Sequence, residues 1–337
     1  MIRVACVGAG YFSRFHYDSW KRMDGATPVG SCNRSIEAAE ATGLPAYSDL
    51  RRMIEETKPD LLDVILPPVA HADTIRVALD CGVKTIICQK PFCQSLEEAK
   101  AITALAKVHR ARIIVHENFR FQPWYRALKA ALDQGRIGQV QQLTFRLRPG
   151  DGQGPEAYLD RQPYFQEMEK FLIHETGVHW VDTFRFLLGN PTAVYADLRQ
   201  VNPVIAGEDA GYVVFDHANG VRSLFDGNRN LDHEADNLRR TMGEALVEGT
   251  EGSIGLRGDG SLWHRAFHAT DEICIEPPNE WDGFGGDCVH HLQAHVISGL
   301  LHNTPLENEA ADYLKVIEIE NSIYHSSETG RKIKLDR

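Results

Sequence analysis

A chain of 337 residues, 43% hydrophobic and 25% charged, is long enough for two domains and for a large core that needs no disulfide staples. Its formal net charge of −11, with no basic run to offset it, excludes nucleic acid as a default partner. No apolar stretch approaches the ~20 residues that span a bilayer, and the chain runs at once into a core-like strand instead of a leader, so a cytoplasmic protein is expected.

Met1 to Ser13 reads MIRVACVGAGYFS, an apolar strand followed by Gly8–Ala9–Gly10 and a helix-like stretch from Tyr11 to Met23. This is the opening of a dinucleotide-binding βαβ unit. Gly8 turns the chain off the strand, and Gly10 lets backbone N–H groups approach a pyrophosphate at the positive end of the helix. Tyr11 and Phe12, which open that helix, belong to the same cofactor-binding set. The third position of the G-x-G-x-x-G pattern is Ser13, which predicts a slightly wider helix–strand spacing. By itself the G-x-G pattern is equally a tight structural turn.

A second strand, Pro28 to Cys32, ends at Asn33–Arg34. At this position an acid selects the ribose hydroxyls of NAD, whereas an arginine accommodates the 2′-phosphate of NADP. The acid is missing and a guanidinium is present, so the reading is NAD(P) with a lean to NADP. Ser48 is a candidate cap for a helix from Asp49 to Thr57. Leu61 to Leu66 is apolar apart from one acid, as a strand buried on both faces would be, and ends at Pro67–Pro68. His71 opens the next helix, Lys84 to Cys88 is a strand, Ser95 caps another helix, and Ile113 to His116 is a further strand leading to Asn118 and Arg120.

Strands alternating with helices in this way predict a doubly wound parallel sheet, whose ligands bind off the carboxyl ends of the strands. Those ends carry Gly8–Gly10, Asn33–Arg34, Pro67–Pro68, Gln89–Lys90–Pro91 and Asn118. Lys90, stiffened by Pro91 and facing the nucleotide crevice, is placed for proton transfer; taken alone such a residue is more often a surface lysine on a turn.

The character changes near Gly138. Val140 to Arg148 alternates apolar and polar residues as a half-exposed strand does. The loop from Pro149 to Phe165 is too long to be idle and is read as a lid, with Tyr158, Arg161 and Tyr164 as contacts. Ile173 to Leu188 is helical, with Glu175 and His179 on one face. Six strand patterns follow between Ala193 and Glu276, predicting an open, mostly antiparallel sheet, and two helices, Asp287–His302 and Ala310–Ser326, close the chain. The fold class is therefore an α/β Rossmann domain, 1–118, followed by an α+β domain, 119–337, whose last helix can pack back on the first.

Seven scattered cysteines without a C-x-x-C pair read as reduced thiols, with Cys93 the candidate for reactivity. His290, His291 and His295 have helical ligand spacing but no glutamate general base between them, so no metal is assigned.

In order, these motifs resemble the Gfo/Idh/MocA family of nicotinamide-dependent sugar and polyol dehydrogenases along the whole chain. Gly8–Ala9–Gly10 resembles its glycine-rich loop, Pro67–Pro68 with His71 its P-P-x-x-H segment, and Gln89–Lys90–Pro91 its E-K-P motif. Asn118–Phe119–Arg120–Phe121 resembles N-x-R-F, and Glu175 to His179 resembles D-x-G-x-H. Gly207–Glu208–Asp209–Ala210, Glu248 to Ser253 and Ser327 to Arg331 complete the series.

The resemblance implies hydride transfer between NAD(P) and a carbinol or carbonyl of a sugar, sugar derivative or cyclic polyol. Lys90 and His179 would then serve proton transfer, with Glu175 in the role of the family aspartate. It implies cofactor contacts at Gly8, Gly10, Tyr11, Phe12, Asn33, Arg34, Pro67, Pro68, His71, Gln89, Lys90 and Asn118. Substrate contacts would come from Lys90, Arg120, Tyr164, His174, Glu175 and His179, and a homodimer or homotetramer would form through the second sheet. Two departures stand out: Gln89 replaces glutamate, and Glu175 replaces aspartate. Alternatives on the same fold are a lyase, isomerase or glycosidase that recycles tightly bound NAD, and a nicotinamide sensor without turnover.

Overall fold

Residues 1–335 are described by a computed structural model, in which the chain divides into two compact units. The first comprises Met1–Asn118 and Cys288–Lys315; the second comprises Phe119–Asp287 and the segment from Val316.

The first unit holds a six-stranded parallel sheet: β1 (Ile2–Val7), β2 (Ala26–Cys32), β3 (Ala46–Tyr47), β4 (Leu61–Val64), β5 (Thr85–Gln89) and β6 (Arg112–His116). Their spatial order is β3-β2-β1-β4-β5-β6, so the strand order reverses between β1 and β4. That reversal is the switch point where doubly wound sheets bind nucleotides. The connecting helices are α1 (Ser13–Lys21), α2 (Ile36–Glu40), α3 (Leu50–Thr57), α4 (His71–Asp80) and α5 (Leu96–Val108). Val4, Ala5, Leu61, Leu62, Ile86 and Ile87 are fully enclosed, as strands covered on both faces must be. Two caps are visible from side-chain chemistry. Ser95 accepts the Glu98 N–H at 3.1 Å, and Asp49, not Ser48, accepts the Arg52 N–H at 2.8 Å and starts α3.

The second unit begins with a short 3-10 turn at Phe119–Phe121 and α6 (Pro123–Asp133). α7 (Val178–Leu188) follows a π-helical turn, Leu172–Gly177. The sheet contains β7 (Val140–Leu147), β8 (Pro191–Arg199), β9 (Ala210–His217), β10 (Arg222–Asn228), β11 (Gly243–Gly249), β12 (Gly252–Leu256), β13 (Leu262–Ala266), β14 (Ile273–Glu276) and β15 (Ile333–Lys334). Its order is β14-β13-β12-β11-β7-β10-β9-β8-β15. All neighbours are antiparallel except β7 and β10. One face is covered: Trp180 of α7 stacks on Phe145 of β7 at 4.3 Å and reaches Phe225 of β10 at 5.6 Å. Strand β13 carries Trp263, His264 and Arg265 with no clean alternation, which is why its sequence did not announce it.

α8 (Cys288–His302) clusters with the first unit, packing against α1, while α9 (Ala310–Thr329) starts in that unit and continues in the second. Cys288–Lys315 groups with the first unit, a longer stretch than the last helix alone, for which the sequence allows packing on that unit. Among the described residues no helix is long and apolar enough to cross a membrane.

Candidate active site

In the first unit the ends of β1, β2, β4 and β5 meet at the switch point. Gly8 has φ +108° and packs so closely that a Cβ would lie 2.1 Å from the Ile65 carbonyl oxygen after β4. Only glycine fits that approach. At Gly10, by contrast, a Cβ would meet nothing within 4 Å, and the first turn of α1 carries no acidic residue. Open space at a helix N-terminus of this kind fits the pyrophosphate of a dinucleotide. Tyr17 of α1 donates to the Gly8 carbonyl at 3.1 Å and bonds Ser31 at 2.7 Å, tying the loop to β2. Ser13 is buried and donates to the Gly10 carbonyl at 2.6 Å.

Asn33 crosses to the same loop. Its Oδ1 accepts the Ala9 N–H at 3.2 Å and its Nδ2 donates to the Ser35 carbonyl at 3.1 Å. Arg34 beside it is exposed. Tyr11 is also exposed, with Arg14 over its ring at 4.2 Å, and Phe12 packs edge-on near His16 at 5.9 Å.

His71 is buried, and its two ring nitrogens face the Leu66 carbonyl at 2.7 Å and the Phe92 carbonyl at 3.0 Å. Burial is the larger influence and holds its pKa below the usual value, against the pull of those carbonyls. The ring therefore packs between the Pro67–Pro68 segment and the loop that carries Lys90, its single N–H in the neutral form serving one of the two carbonyls. Lys90 is half-buried, the Lys90–Pro91 peptide is cis, and its backbone N–H donates to Gln89 Oε1 at 3.2 Å. The Gln89 amide itself turns inward: its Nε2 lies 2.7 Å from His16 Nε2. Asn118 is buried at the unit's end.

In the second unit His179 is 7% exposed and lies flat against Phe119, ring centroids 3.8 Å apart. Glu175 lies in the π-helical turn, where the Val178 N–H reaches back to the Ile173 carbonyl. Such wide turns recur at functional sites, and here Glu208 caps it. The Glu208 carboxylate accepts the Phe171 N–H at 3.2 Å, the Ile173 N–H at 3.0 Å and the Tyr324 hydroxyl at 2.6 Å. Glu175 accepts the Thr176 hydroxyl at 2.5 Å; Arg229 donates to that hydroxyl at 2.7 Å and lies 3.7 Å from the carboxylate. His174 meets Glu320 at 2.6 Å.

Arg120 commits its guanidinium to Asp182, with Nε and Nη2 bonds of 2.7 and 2.6 Å. That buried, forked pair fixes the start of the unit to α7.

The Pro149–Phe165 loop, read from sequence as a lid, is strapped down within this unit. Asp151 pairs with Arg161 at 2.6 Å and with Arg229 at 2.9 Å. Tyr158, expected as a lid contact, is buried with Phe165, Phe171, Ala157 and Ile205. Of its aromatics Tyr164 stays exposed.

Cys93 is buried, and burial, assisted by Glu98, pushes its thiol pKa up to about 12, which removes the thiolate a reactive cysteine needs. Among the described residues no three His, Cys, Asp or Glu side chains converge to hold a metal. His290 bonds Ser19 and His295 accepts the Glu307 N–H, so both histidines are engaged inside the first unit. The sequence reading missed Asp63, His16, Arg229 and Asp182. Asp63 did leave a signal: a lone acid in a strand buried on both faces requires partners.

Residues 2–117 match an oxidoreductase family with an NAD-binding Rossmann fold, and residues 125–255 match the GFO/IDH/MocA C-terminal domain. The chain is 30% identical over 345 residues to a D-apiose dehydrogenase of Paraburkholderia graminis, covering 98% of this chain and 89% of that one. An inositol 2-dehydrogenase of Rhizobium meliloti is 27% identical over 262 residues, or 75% and 74% of the two chains. Among solved structures, an oxidoreductase of Agrobacterium radiobacter in complex with NAD+, L-tartaric acid and magnesium superposes with a TM-score of 0.89. It is 27% identical, and the match covers 99% of this chain and 98% of that one.

Proposed function

We propose, for a chain that belongs to the Gfo/Idh/MocA family of oxidoreductases, that it is an NAD(P)-dependent dehydrogenase of a sugar, sugar derivative or cyclic polyol. The observation that carries this reading is the switch point itself: an open glycine at the start of α1 and Lys90 at the end of β5. The full-length similarity to a D-apiose dehydrogenase supports the substrate class.

A bound nicotinamide would supply the hydride chemistry. Gly8, Gly10 and the N-terminus of α1 would hold the pyrophosphate, and Asn33 ties the glycine loop to the end of β2. Lys90 and His179 would serve proton transfer, as the family resemblance implies; a cationic or hydrogen-bonding group at a carbinol oxygen stabilises alkoxide character. Glu175, oriented by Thr176 and Arg229, is the substrate-orienting acid. Arg34 favours NADP through the 2′-phosphate.

A homodimer or homotetramer through the second sheet is part of the reading. Leu246, Thr144, Leu224, Val214 and Tyr195 stand in register across five strands on its open face. Light scattering on Leu224→Lys, with a drop in mass, checks it.

The test is a screen of reduced-nicotinamide absorbance with NAD and NADP separately against D-apiose, other pentoses, hexoses, myo-inositol and L-tartrate. Signal with wild type that collapses in Lys90→Ala and His179→Ala supports the reading. Silence across the panel, with cofactor retained on the purified protein, replaces it with an internally recycling lyase or isomerase.

A further inference from the structure

Asp63 lies in the middle of β4 and is fully buried. Its Oδ2 receives Trp20 Nε1–H at 2.7 Å and Gln293 Nε2–H at 3.3 Å, and faces His16 Nδ1 at 2.8 Å. His16, fully buried in α1, has its other nitrogen 2.7 Å from Gln89 Nε2. Gln89 in turn accepts the Lys90 N–H through Oε1 and has His116 Nδ1 3.4 Å from its Nε2. All of these residues belong to the first unit.

The protonation pattern follows from one fixed end. A backbone N–H only donates, so the Gln89 carbonyl oxygen faces Lys90 and its NH2 faces His16. His16 Nε2 is then an acceptor, which leaves the proton on Nδ1, pointing at Asp63. The opposite amide orientation would set NH2 against the Lys90 N–H and require a doubly protonated His16.

We infer that His16, held as its Nδ1–H tautomer by the buried Asp63 carboxylate, is a positioning residue for Lys90, acting through the Gln89 amide. This rests on the role given to Lys90 above. It also accounts for glutamine in place of the family glutamate. A carboxylate at position 89 would present only acceptors to the lone pair of His16 and add a second buried anion close to Asp63.

Two substitutions of His16 separate the halves of the chain. His16→Asn keeps a donor near Nδ1 for Asp63 and removes the acceptor for Gln89. His16→Gln keeps a carbonyl near Nε2 for Gln89 and withdraws the donor from Asp63. We expect His16→Asn to keep a thermal midpoint near wild type while kcat, with NAD and the fastest-oxidised sugar of the panel, falls on the order of ten- to a hundredfold. KM for NAD should stay within about twofold, because the pyrophosphate site is untouched. His16→Gln should show the reverse, a lower midpoint with most of kcat retained.

Two readouts do not depend on turnover. In 15N-histidine protein the His16 resonances should report a neutral ring protonated on Nδ1. In 15N-lysine protein the Lys90 amide should exchange on the order of tenfold faster in His16→Asn than in His16→Gln. A doubly protonated His16, or equal Lys90 exchange in the two variants, overturns the inference. If instead Lys90→Ala keeps full kcat while the tautomer and exchange results stand, the role assigned to Lys90 fails and the positioning chain does not.

Discussion

Phe119 and His179 lie face to face, their planes 2° apart and their centroids separated by 3.8 Å. Phe119 comes from the N-x-R-F segment and His179 from the first turn of α7, so two motifs 60 positions apart in sequence converge on one ring pair. Phe119 is itself walled by Trp180 at 5.2 Å, leaving the imidazole little freedom to rotate. Phe119→Leu keeps an apolar side chain but removes the ring and some volume, and should cost about 1–2 kcal/mol of stability. With the stacking plane gone, kcat should fall about tenfold while cofactor affinity holds. Steady-state kinetics with a thermal melt on the same preparation checks it; a kcat loss matched by loss of folded protein would speak against an orienting role.

Arg34 stands exposed at the end of β2 while its neighbour Asn33 is turned onto Ala9 and Ser35. A guanidinium–phosphate bond is worth about 1.5–3 kcal/mol. Arg34→Ala should therefore weaken NADPH roughly ten- to a hundredfold and leave NADH nearly unchanged. Titration of cofactor fluorescence reads both affinities, and equal losses would remove the 2′-phosphate from the account.

Much of the first unit was legible because its signals are local. Gly8 announces a turn that no other residue fits, Ser95 announces a helix start, and the apolar run of β4 announces a strand covered twice. The second unit's less legible features depend on distant partners. Asp151 is held by Arg161 within the Pro149–Phe165 loop but also by Arg229, 78 positions away, so the loop's own residues show only part of the strap. The π-helical turn before α7 depends on Glu208, which caps it from beyond β8, and no periodicity encodes that. Ser48 and Asp49 are adjacent and chemically equivalent as caps, so only the backbone decides between them. Site residues were legible as types, whereas what their polar atoms touch was not: the fork of Arg120 on Asp182, 62 positions away, leaves no trace in the N-x-R-F segment.

Cys93 and Cys274 offer a contrast in thiol chemistry. Burial pushes Cys93 up to about 12, whereas Cys274 on β14 is exposed. Near pH 8 the Cys93 thiolate is then about one part in ten thousand. Iodoacetamide followed by peptide mass spectrometry should alkylate Cys274 promptly and leave Cys93 at least about a hundredfold slower. Early alkylation of Cys93, with loss of activity, would restore the reactive reading.

Asp151 and Arg229 make the second unit's stability depend on acid. Burial alone would raise the Asp151 pKa, yet the guanidinium groups of Arg229 and Arg161 outweigh it and hold the carboxyl below its usual value. A carboxyl lowered in the folded state contributes its full stabilisation above the unfolded value, about 3.9, and loses it as pH falls through the folded value. Arg229 is 2% exposed and ringed by Tyr158, Phe165 and Phe171, so removing Asp151 leaves the buried cation facing Glu175 alone, 3.7 Å away. Asp151→Asn should accordingly destabilise at neutral pH by about 3 kcal/mol, the low end of the range for a broken buried pair, because Glu175 remains. The gap between wild type and variant should stay constant down to about pH 4 and narrow below it. Denaturant unfolding from pH 7 to pH 3 measures the gap, and a difference that is small at pH 7 or grows on acidification would show that the strap is not electrostatic.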